Sequence, residues 1–190
     1  MGLLDRFRKE EIKGTRVLLA SLDPNLEELL AADRKVYQRF YPATTNASFN
    51  SLAQLEAGVA QKCDVLHLFC AVAPDGLIAD PGGARVRGDE LVGKCVAADV
   101  KLLWLANPSS DVAYGKGFSA RGQKINLVLT LGRMGPNFGF FLDSFLAKLT
   151  AGEAVPDAWK QLHPDKPDSV NPDPPNCLFF PGRGGVRLLK

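Results

Sequence analysis

The sequence predicts a single α/β domain, a three-layer αβα sandwich with a mostly parallel central sheet. A chain of 190 residues with 46% hydrophobic residues is long enough to bury one continuous core. Apolar runs of strand length alternate along the chain with segments of helical periodicity, which is the order of a parallel sheet covered by helices. One run, residues 64–72, is apolar at nearly every position and therefore predicts a central strand that is covered on both faces.

The first β-α unit spans residues 15–40. Residues 15–22 are a short apolar run with a β-branched start, which favours a buried strand. Asp23 and Pro24 supply a helix start, with proline just inside the first turn. Apolar residues then recur at helical spacing as far as Phe40, and Pro42 breaks the pattern.

The next segments lead into and out of the central strand. Residues 43–50 are polar and have room for one short strand at most. Ser51 can cap a helix predicted over residues 51–62, and the strand at 64–72 follows it. Turn signals at residues 74–76 and 80–83 predict a small hairpin, or a loop with one strand, at the strand's C-terminal end.

The second half of the chain repeats the alternation. A short helix opens at Arg87, and residues 100–106 and 125–131 are the next two buried strands. Phenylalanines and leucines at helical spacing predict a helix that starts at Phe138 and stops at residues 151–152, and residues 155–162 predict a shorter one.

The domain prediction has two parts. Residues 1–14 combine apolar side chains with a basic face and predict an amphipathic helical arm that ends at Gly14. The arm either docks on a partner or membrane surface or, as we favour, packs on its own domain. Residues 15–190 form the domain itself, with a proline-rich surface loop at 163–175 and a terminal hairpin at 176–189 on the sheet edge.

Composition excludes several classes of function. The 23 Lys and Arg against 21 Asp and Glu leave a charge of only +2, which argues against dedicated nucleic-acid binding. No apolar run approaches the ~20 residues of a transmembrane segment, and the start is too charged for a signal peptide, so we expect a cytoplasmic protein. The four cysteines and two histidines do not cluster, and the glycine-rich pieces lack a phosphate-binding pattern, so neither a metal nor a cofactor is predicted.

Several blocks of the sequence resemble one known family. Asp64-Val65-Leu66-His67-Leu68-Phe69-Cys70 and Leu102-Leu103-Trp104-Leu105-Ala106-Asn107-Pro108-Ser109 are similar to the two catalytic strands of caspase-like peptidases of the CHAT branch. The phenylalanine-rich segment 138–152 is similar to a later helix of that family. The resemblance spans roughly residues 16–162 and implies a caspase-like fold in which the strands at 64–72 and 100–106 are parallel neighbours.

The sequence departs from the family at the two positions that carry its chemistry. Ala71-Val72 stands where the family has its catalytic His-Gly, and Pro108 stands where it has the nucleophilic cysteine. Cysteine proteolysis needs a thiolate and an imidazole, and neither alanine nor proline has a titratable group. The resemblance therefore implies a pseudoenzyme that binds protein or regulates within a bacterial multi-protein system. The candidate cleft residues around the vestigial dyad positions are His67, Val72, Asn107, Ser109, Ser110 and Asp111.

Two alternatives remain open at this point. The chain could be a hydrolase with relocated chemistry, in which His67 serves Ser109, Ser110 or Asp111. It could also be an α/β domain that binds a small ligand. For His67 itself we favour a histidine in the core whose ring nitrogens are hydrogen-bonded. Cys70 lies on the opposite face of the strand from Ala71 and is expected to be buried and unreactive.

Overall fold

The structure is a computed structural model that describes residues 10–108, 118, 124–130, 132–133, 137–162 and 177–190. The strands are β1 (Glu10–Ile12), β2 (Val17–Ser21), β3 (Thr44–Ser48), β4 (Val65–Phe69), β5 (Leu77–Ala79), β6 (Arg85–Arg87), β7 (Leu102–Ala106), β8 (Asn126–Thr130), β9 (Cys177–Pro181) and β10 (Val186–Leu188). The helices are α1 (Glu27–Phe40), α2 (Leu52–Ala60), α3 (Gly88–Ala97), α4 (Asn137–Thr150) and α5 (Val155–Leu162).

A six-stranded sheet forms the centre of the molecule, in the order β3-β2-β4-β7-β8-β9. Its strands run parallel except for β9, which pairs antiparallel with β8. The helices α1, α4 and α5 pack on one face, while α2 and α3 pack on the other. The predicted three-layer α/β sandwich with a mostly parallel sheet is therefore confirmed.

Burial on both faces explains the continuous apolar runs of the central strands. Leu66 and Leu68 of β4 point into the core under α2 and α3, whereas Val65 and Phe69 point into the core under α1, α4 and α5. Trp104 of β7 is fully buried in the second of these cores. Burial of each such side chain stabilises the folded state by about 1.5–3 kcal/mol. Because β4 and β7 place side chains in both cores, they contribute to the stability of both.

Local signals set the helix starts. Ser51 caps α2 as predicted, since its Oγ accepts a hydrogen bond of 3.2 Å from the backbone N–H of Gln54. Asp23 accepts a bond of 2.9 Å from the N–H of Asn25, but the turn that it caps is a 3-10 turn that runs into α1. The small hairpin predicted after the central strand is also present, as the antiparallel pair β5 and β6.

The prediction of a helical arm is wrong at its C-terminal end. Residues 10–12 form strand β1, which pairs parallel with β10 so that Glu10 lies opposite Val186. Ile12 packs on the core under α1, and this pairing and burial outweigh the local helical pattern. Gly14 has φ +64°, a left-handed conformation that turns the chain from β1 towards β2. Residues 1–9 lie outside the described part of the chain.

The predicted terminal hairpin is also wrong, because its two strands belong to different sheets. β9 extends the central sheet beside β8, whereas β10 pairs with β1. The side-chain amide of Asn126 donates to the carbonyl of Arg183 at 2.8 Å, and the Arg183 side chain binds Glu10. These two contacts direct the chain after β9 towards β1 rather than back along β9. The proline-rich loop at 163–175 lies outside the described residues.

Candidate functional site

Ala71 and Pro108, the positions that the resemblance aligns with a catalytic His-Gly and a nucleophilic cysteine, lie at the same end of neighbouring strands. β4 and β7 pair in parallel, with Val65 opposite Leu102 and Phe69 opposite Ala106. The ladder continues beyond the strands, since the N–H of Cys70 donates to the carbonyl of Ala106 at 3.2 Å. Residues 71 and 108 therefore both follow the C-terminal edge of the sheet, where open α/β folds present their binding loops.

Asn107 joins the ends of three strands. Its Oδ1 accepts a hydrogen bond of 3.4 Å from the N–H of Val72, which follows β4. Its own N–H donates to the carbonyl of Thr130 at 3.2 Å, and its carbonyl accepts from the N–H of Arg133 at 3.0 Å. Asn107 is fully buried, so these bonds fix the spacing between the chain after β4 and the chain after β7. Sequence analysis placed Asn107 at the cleft but missed this role.

The residues after β4 and β7 differ in how far their side chains are exposed. Ala71 is exposed, so it contributes a small methyl group to the surface of the edge. Val72 is only 5% exposed, packs in the core under α2 and α3, and forms a bridge with Ile78. Pro108 is half-buried. Neither Ala71 nor Pro108 carries an acid, a base or a nucleophile, and the side chain of Val72 is almost fully buried.

His67 lies inside the core and not on the cleft surface. Its ring is fully buried, with Nδ1 at 3.2 Å from the Tyr37 hydroxyl and Nε2 at 3.7 Å from Oδ2 of Asp33. The ring also stacks on Phe69, with centroids 4.7 Å apart. Burial, reinforced by the positive charge of Arg133, holds the pKa of His67 well below its ordinary value. His67 is therefore a neutral histidine within the core.

A buried ion pair lies beside His67, between Asp33 on α1 and Arg133 after β8. The Arg133 guanidinium donates to Oδ1 of Asp33, and the exposed fractions of the two side chains are 7% and 2%. The guanidinium carbon also lies 3.9 Å from the ring centroid of Phe138. Burial raises the pKa of Asp33 to about 6, although the charge of Arg133 acts in the opposite direction.

Sequence analysis missed this pair, since its members are 100 residues apart. One signal was available. Leu30, Asp33 and Tyr37 follow one another at helical spacing and are all buried in α1, so an aspartate stands on the apolar face of a helix. A buried carboxylate requires a partner, and an arginine that follows a central strand can supply it.

The four cysteines are all free and buried. Burial is the largest cause of a raised thiol pKa at each of them, to about 11 at Cys63 and to about 12 at Cys70, Cys95 and Cys177. The expected burial of Cys70 is therefore confirmed. Ser109, Ser110 and Asp111, the other candidate cleft residues, lie outside the described part of the chain.

Metal-binding clusters and membrane-spanning helices can be assessed for the part of the chain that the structure describes. Over that part, no group of three His, Cys, Asp or Glu residues is arranged to hold a metal ion. Over the same residues, no helix combines the length and the apolar character that crossing a bilayer requires. In comparisons with known proteins, no family model matches the chain, and no curated protein matches its sequence.

Proposed function

We propose that this chain is a catalytically inactive caspase-like domain of the CHAT type, which binds a protein partner and acts as a regulatory component of a multi-protein system. The observation that carries the proposal is the position of Ala71 and Pro108. Both follow the same end of the parallel neighbours β4 and β7, where the resemblance implies a histidine and a cysteine. The bacterial and cytoplasmic setting of such a system follows from the resemblance and the composition alone.

The physical chemistry of the dyad positions supports an inactive site. A cysteine peptidase needs a thiolate as nucleophile and an imidazole that protonates the leaving amine. The methyl group of Ala71 and the ring of Pro108 can do neither. His67 cannot act as a substitute base at the surface, because both of its ring nitrogens are enclosed between β4 and α1.

The same geometry supports binding. Asn107 holds the chain segments after β4 and β7 at a fixed spacing, so the edge is preorganised and a partner does not have to order it. Ala71 is small and exposed, which leaves space where the larger imidazole would stand. A peptide can also add to the sheet beside β3, which is an edge strand among the described residues and whose Thr45 and Asn46 are exposed.

The caspase-like register can be tested by restoring the dyad. The thiol introduced by Pro108→Cys should react with iodoacetamide at pH 7 at least about 10-fold faster when Ala71→His is also present, because a nearby imidazole lowers the thiol pKa. Ala32→His, at an exposed alanine of α1, is the matched control and should leave the rate unchanged. The buried native cysteines should remain unlabelled. Equal rates with and without Ala71→His would contradict the caspase-like register.

Inactivity is tested separately on the native chain. Fluorophosphonate and epoxide probes label activated serines and cysteines. We expect them to label Ser109 and Ser110 of the folded protein no more than they label the same serines in the unfolded protein. Stoichiometric labelling of either serine in the folded protein would favour the hydrolase alternative instead.

The binding role requires a partner captured at the proposed edge. A photo-reactive amino acid at Ala71 should cross-link a protein that the same group at Ala32 does not. With that protein purified, Ala71→Arg should weaken its binding at least about 10-fold, while Ala32→Arg should not. Capture of a small molecule alone would favour the ligand-binding alternative.

A further inference from the structure

The strand β3 forms one edge of the central sheet as far as the structure describes it. Its five residues, Thr44–Ser48, include no proline and no charged side chain, the features that commonly keep an edge strand from pairing with another chain. The N–H of Phe49 donates to the carbonyl of Ser21 in β2 at 2.8 Å. Because these groups alternate along a strand, the N–H and C=O of Asn46 point away from β2. β3 is therefore an edge that another strand can extend.

The helix α1 presents an exposed face beside this edge. It packs against β2 and β3, and Glu27 at its start accepts a hydrogen bond of 3.0 Å from the hydroxyl of Ser48. Ala31 and Arg34 follow Glu27 at helical spacing, and all three are exposed. Arg39, which binds α4, lies on a different side of the helix. The face beside β3 thus has an acidic residue at one end and a basic residue about 10 Å further along.

Antiparallel pairing of β3 with the β3 of a second copy would bring these features together. Asn46 is the central residue of the strand, so a two-fold axis beside it places Asn46 opposite its own counterpart and Thr44 opposite Ser48. Since α1 packs over β2 and β3, it would lie about 5 Å from that axis. The two copies of α1 would then be about 10 Å apart, which is a distance at which helices pack.

The charges on the two helices are complementary in this arrangement. α1 and β3 run in opposite directions, since Glu27 contacts Ser48 at the end of β3 and Arg34 lies nearer to its start. The axis therefore brings Glu27 of each copy towards Arg34 of the other, with the small Ala31 between them. From the open strand and these charges, we propose that two copies of this chain associate through β3 and α1 and join their central sheets. This association is independent of the function proposed for the edge beside Ala71, although it occupies the strand to which a peptide could otherwise add.

Sedimentation equilibrium of the full chain tests whether it associates. At about 100 µM, where a dimer with a micromolar Kd is almost fully formed, we expect twice the mass of one chain. The mass of a single chain at this concentration would overturn the proposal.

Charge reversal tests whether α1 takes part. Arg34→Glu should weaken the dimer at least about 10-fold, because it brings two acidic side chains together across the axis. Adding Glu27→Arg should restore the Kd to within about threefold of the native value. Lys35→Glu makes the same change of charge at an exposed position that points away from the sheet, and this matched control should leave the Kd unchanged. Equal effects of Arg34→Glu and Lys35→Glu, or no rescue by Glu27→Arg, would overturn the proposed interface.

Disulfide trapping tests the register of the two strands. Asn46→Cys should link two copies in a glutathione buffer, since hydrogen-bonded residues that face each other have Cα atoms about 5.5 Å apart. Ser48→Cys is the matched control at an exposed position of the same strand. Its two copies would lie about 13 Å apart and should link at least about 10-fold more slowly. The native cysteines are buried, so only the introduced thiols should react. Equal rates for Asn46→Cys and Ser48→Cys would contradict the pairing.

Discussion

At the scale of single residues, the ion pair between Asp33 and Arg133 is the contact whose loss should affect stability most. Both side chains are almost completely buried, so each charge depends on the other for compensation. Among the described residues, Oδ2 of Asp33, Nε of Arg133 and Nε2 of His67 have no hydrogen-bond partner, so these residues satisfy the polar cluster only in part. The position of the cluster between α1, β4 and the chain after β8 makes it a long-range link across one core.

Removing one partner of this buried ion pair should lower the free energy of unfolding far more than removing one partner of an exposed ion pair. We expect Arg133→Ala to lower the free energy of unfolding by about 3–5 kcal/mol, because it leaves the Asp33 carboxylate buried and uncompensated. Arg39→Ala, which breaks the half-exposed pair with Asp143, should cost less than about 1 kcal/mol. Urea unfolding at pH 7 measures both. Equal costs would show that the carboxylate of Asp33 escapes burial in the variant.

His67 should make the folded state sensitive to acid. Burial keeps the ring neutral in the folded state, whereas the unfolded ring takes up a proton as the pH falls through about 6.5. The unfolded state then binds more protons, so the contribution of His67 to stability is lost below pH 6.5, at about 1.4 kcal/mol per pH unit. The raised pKa of Asp33 acts in the opposite direction between about pH 6 and 3.8, since there the folded carboxyl holds the extra proton.

Replacement of His67 separates these two opposing effects. His67→Phe preserves stacking on Phe69 and removes the titration, so its free energy of unfolding relative to the native chain should rise steadily from pH 6.5 to 5. Urea titrations at half-unit pH steps would show this divergence. Parallel pH profiles for the two proteins would mean that water reaches the ring.

At the scale of elements, two deletions at the start of the chain should differ in their effect on stability, because strand β1 begins at Glu10. Deleting residues 2–9 leaves β1 in place, whereas deleting 2–13 also removes the ladder with β10, the burial of Ile12 and the pair between Glu10 and Arg183. We expect the longer deletion to cost about 2–4 kcal/mol more than the shorter one. Thermal or urea unfolding of the two deletions makes the comparison. Equal stability would show that β1 adds nothing to the fold.

This expectation follows from the strand at residues 10–12, which the predicted helical arm over residues 1–14 did not include. The helical pattern is real at the level of local sequence, but Glu10–Ile12 pair with a strand 176 positions away, as with Glu10 and Val186. Local periodicity predicted the buried elements well, because continuous apolar runs and caps such as Ser51 are local signals. The edge pairings of β1, β9 and β10 depend on non-local partners, which no single run of residues encodes.

The same distinction holds for the candidate site. The adjacency of β4 and β7 was implied by the resemblance, and the segment between the two continuous runs is long enough for a parallel crossover. The depth of His67 and its neighbours Tyr37 and Asp33 could not, because they depend on how α1 packs across the sheet. A histidine in a continuous apolar strand is the one local hint that its ring is enclosed.

At the scale of the whole molecule, the two cores share the central sheet. Cys63, Cys70 and Cys95 lie in the core under α2 and α3, and Cys177 lies in the core under α1, α4 and α5. Strands β2, β4 and β7 have neighbours on both sides and contribute side chains to both cores, so neither core can open fully without the other. β9, which carries Cys177, is instead at the edge of the sheet, and β8 is its one neighbour among the described strands.

This arrangement predicts how the native thiols become reactive. Cys70 and Cys95 should react with a thiol reagent only through global unfolding, with the same free energy of opening and the same dependence on urea. Cys177 should open locally, with a free energy about 1–2 kcal/mol lower, because separating β9 from β8 breaks only one ladder. Native-state thiol labelling in sub-denaturing urea, resolved by peptide mass, measures each site. If Cys95 reacted more readily than Cys70, α3 would open independently of the sheet, and the two faces would not form one cooperative unit.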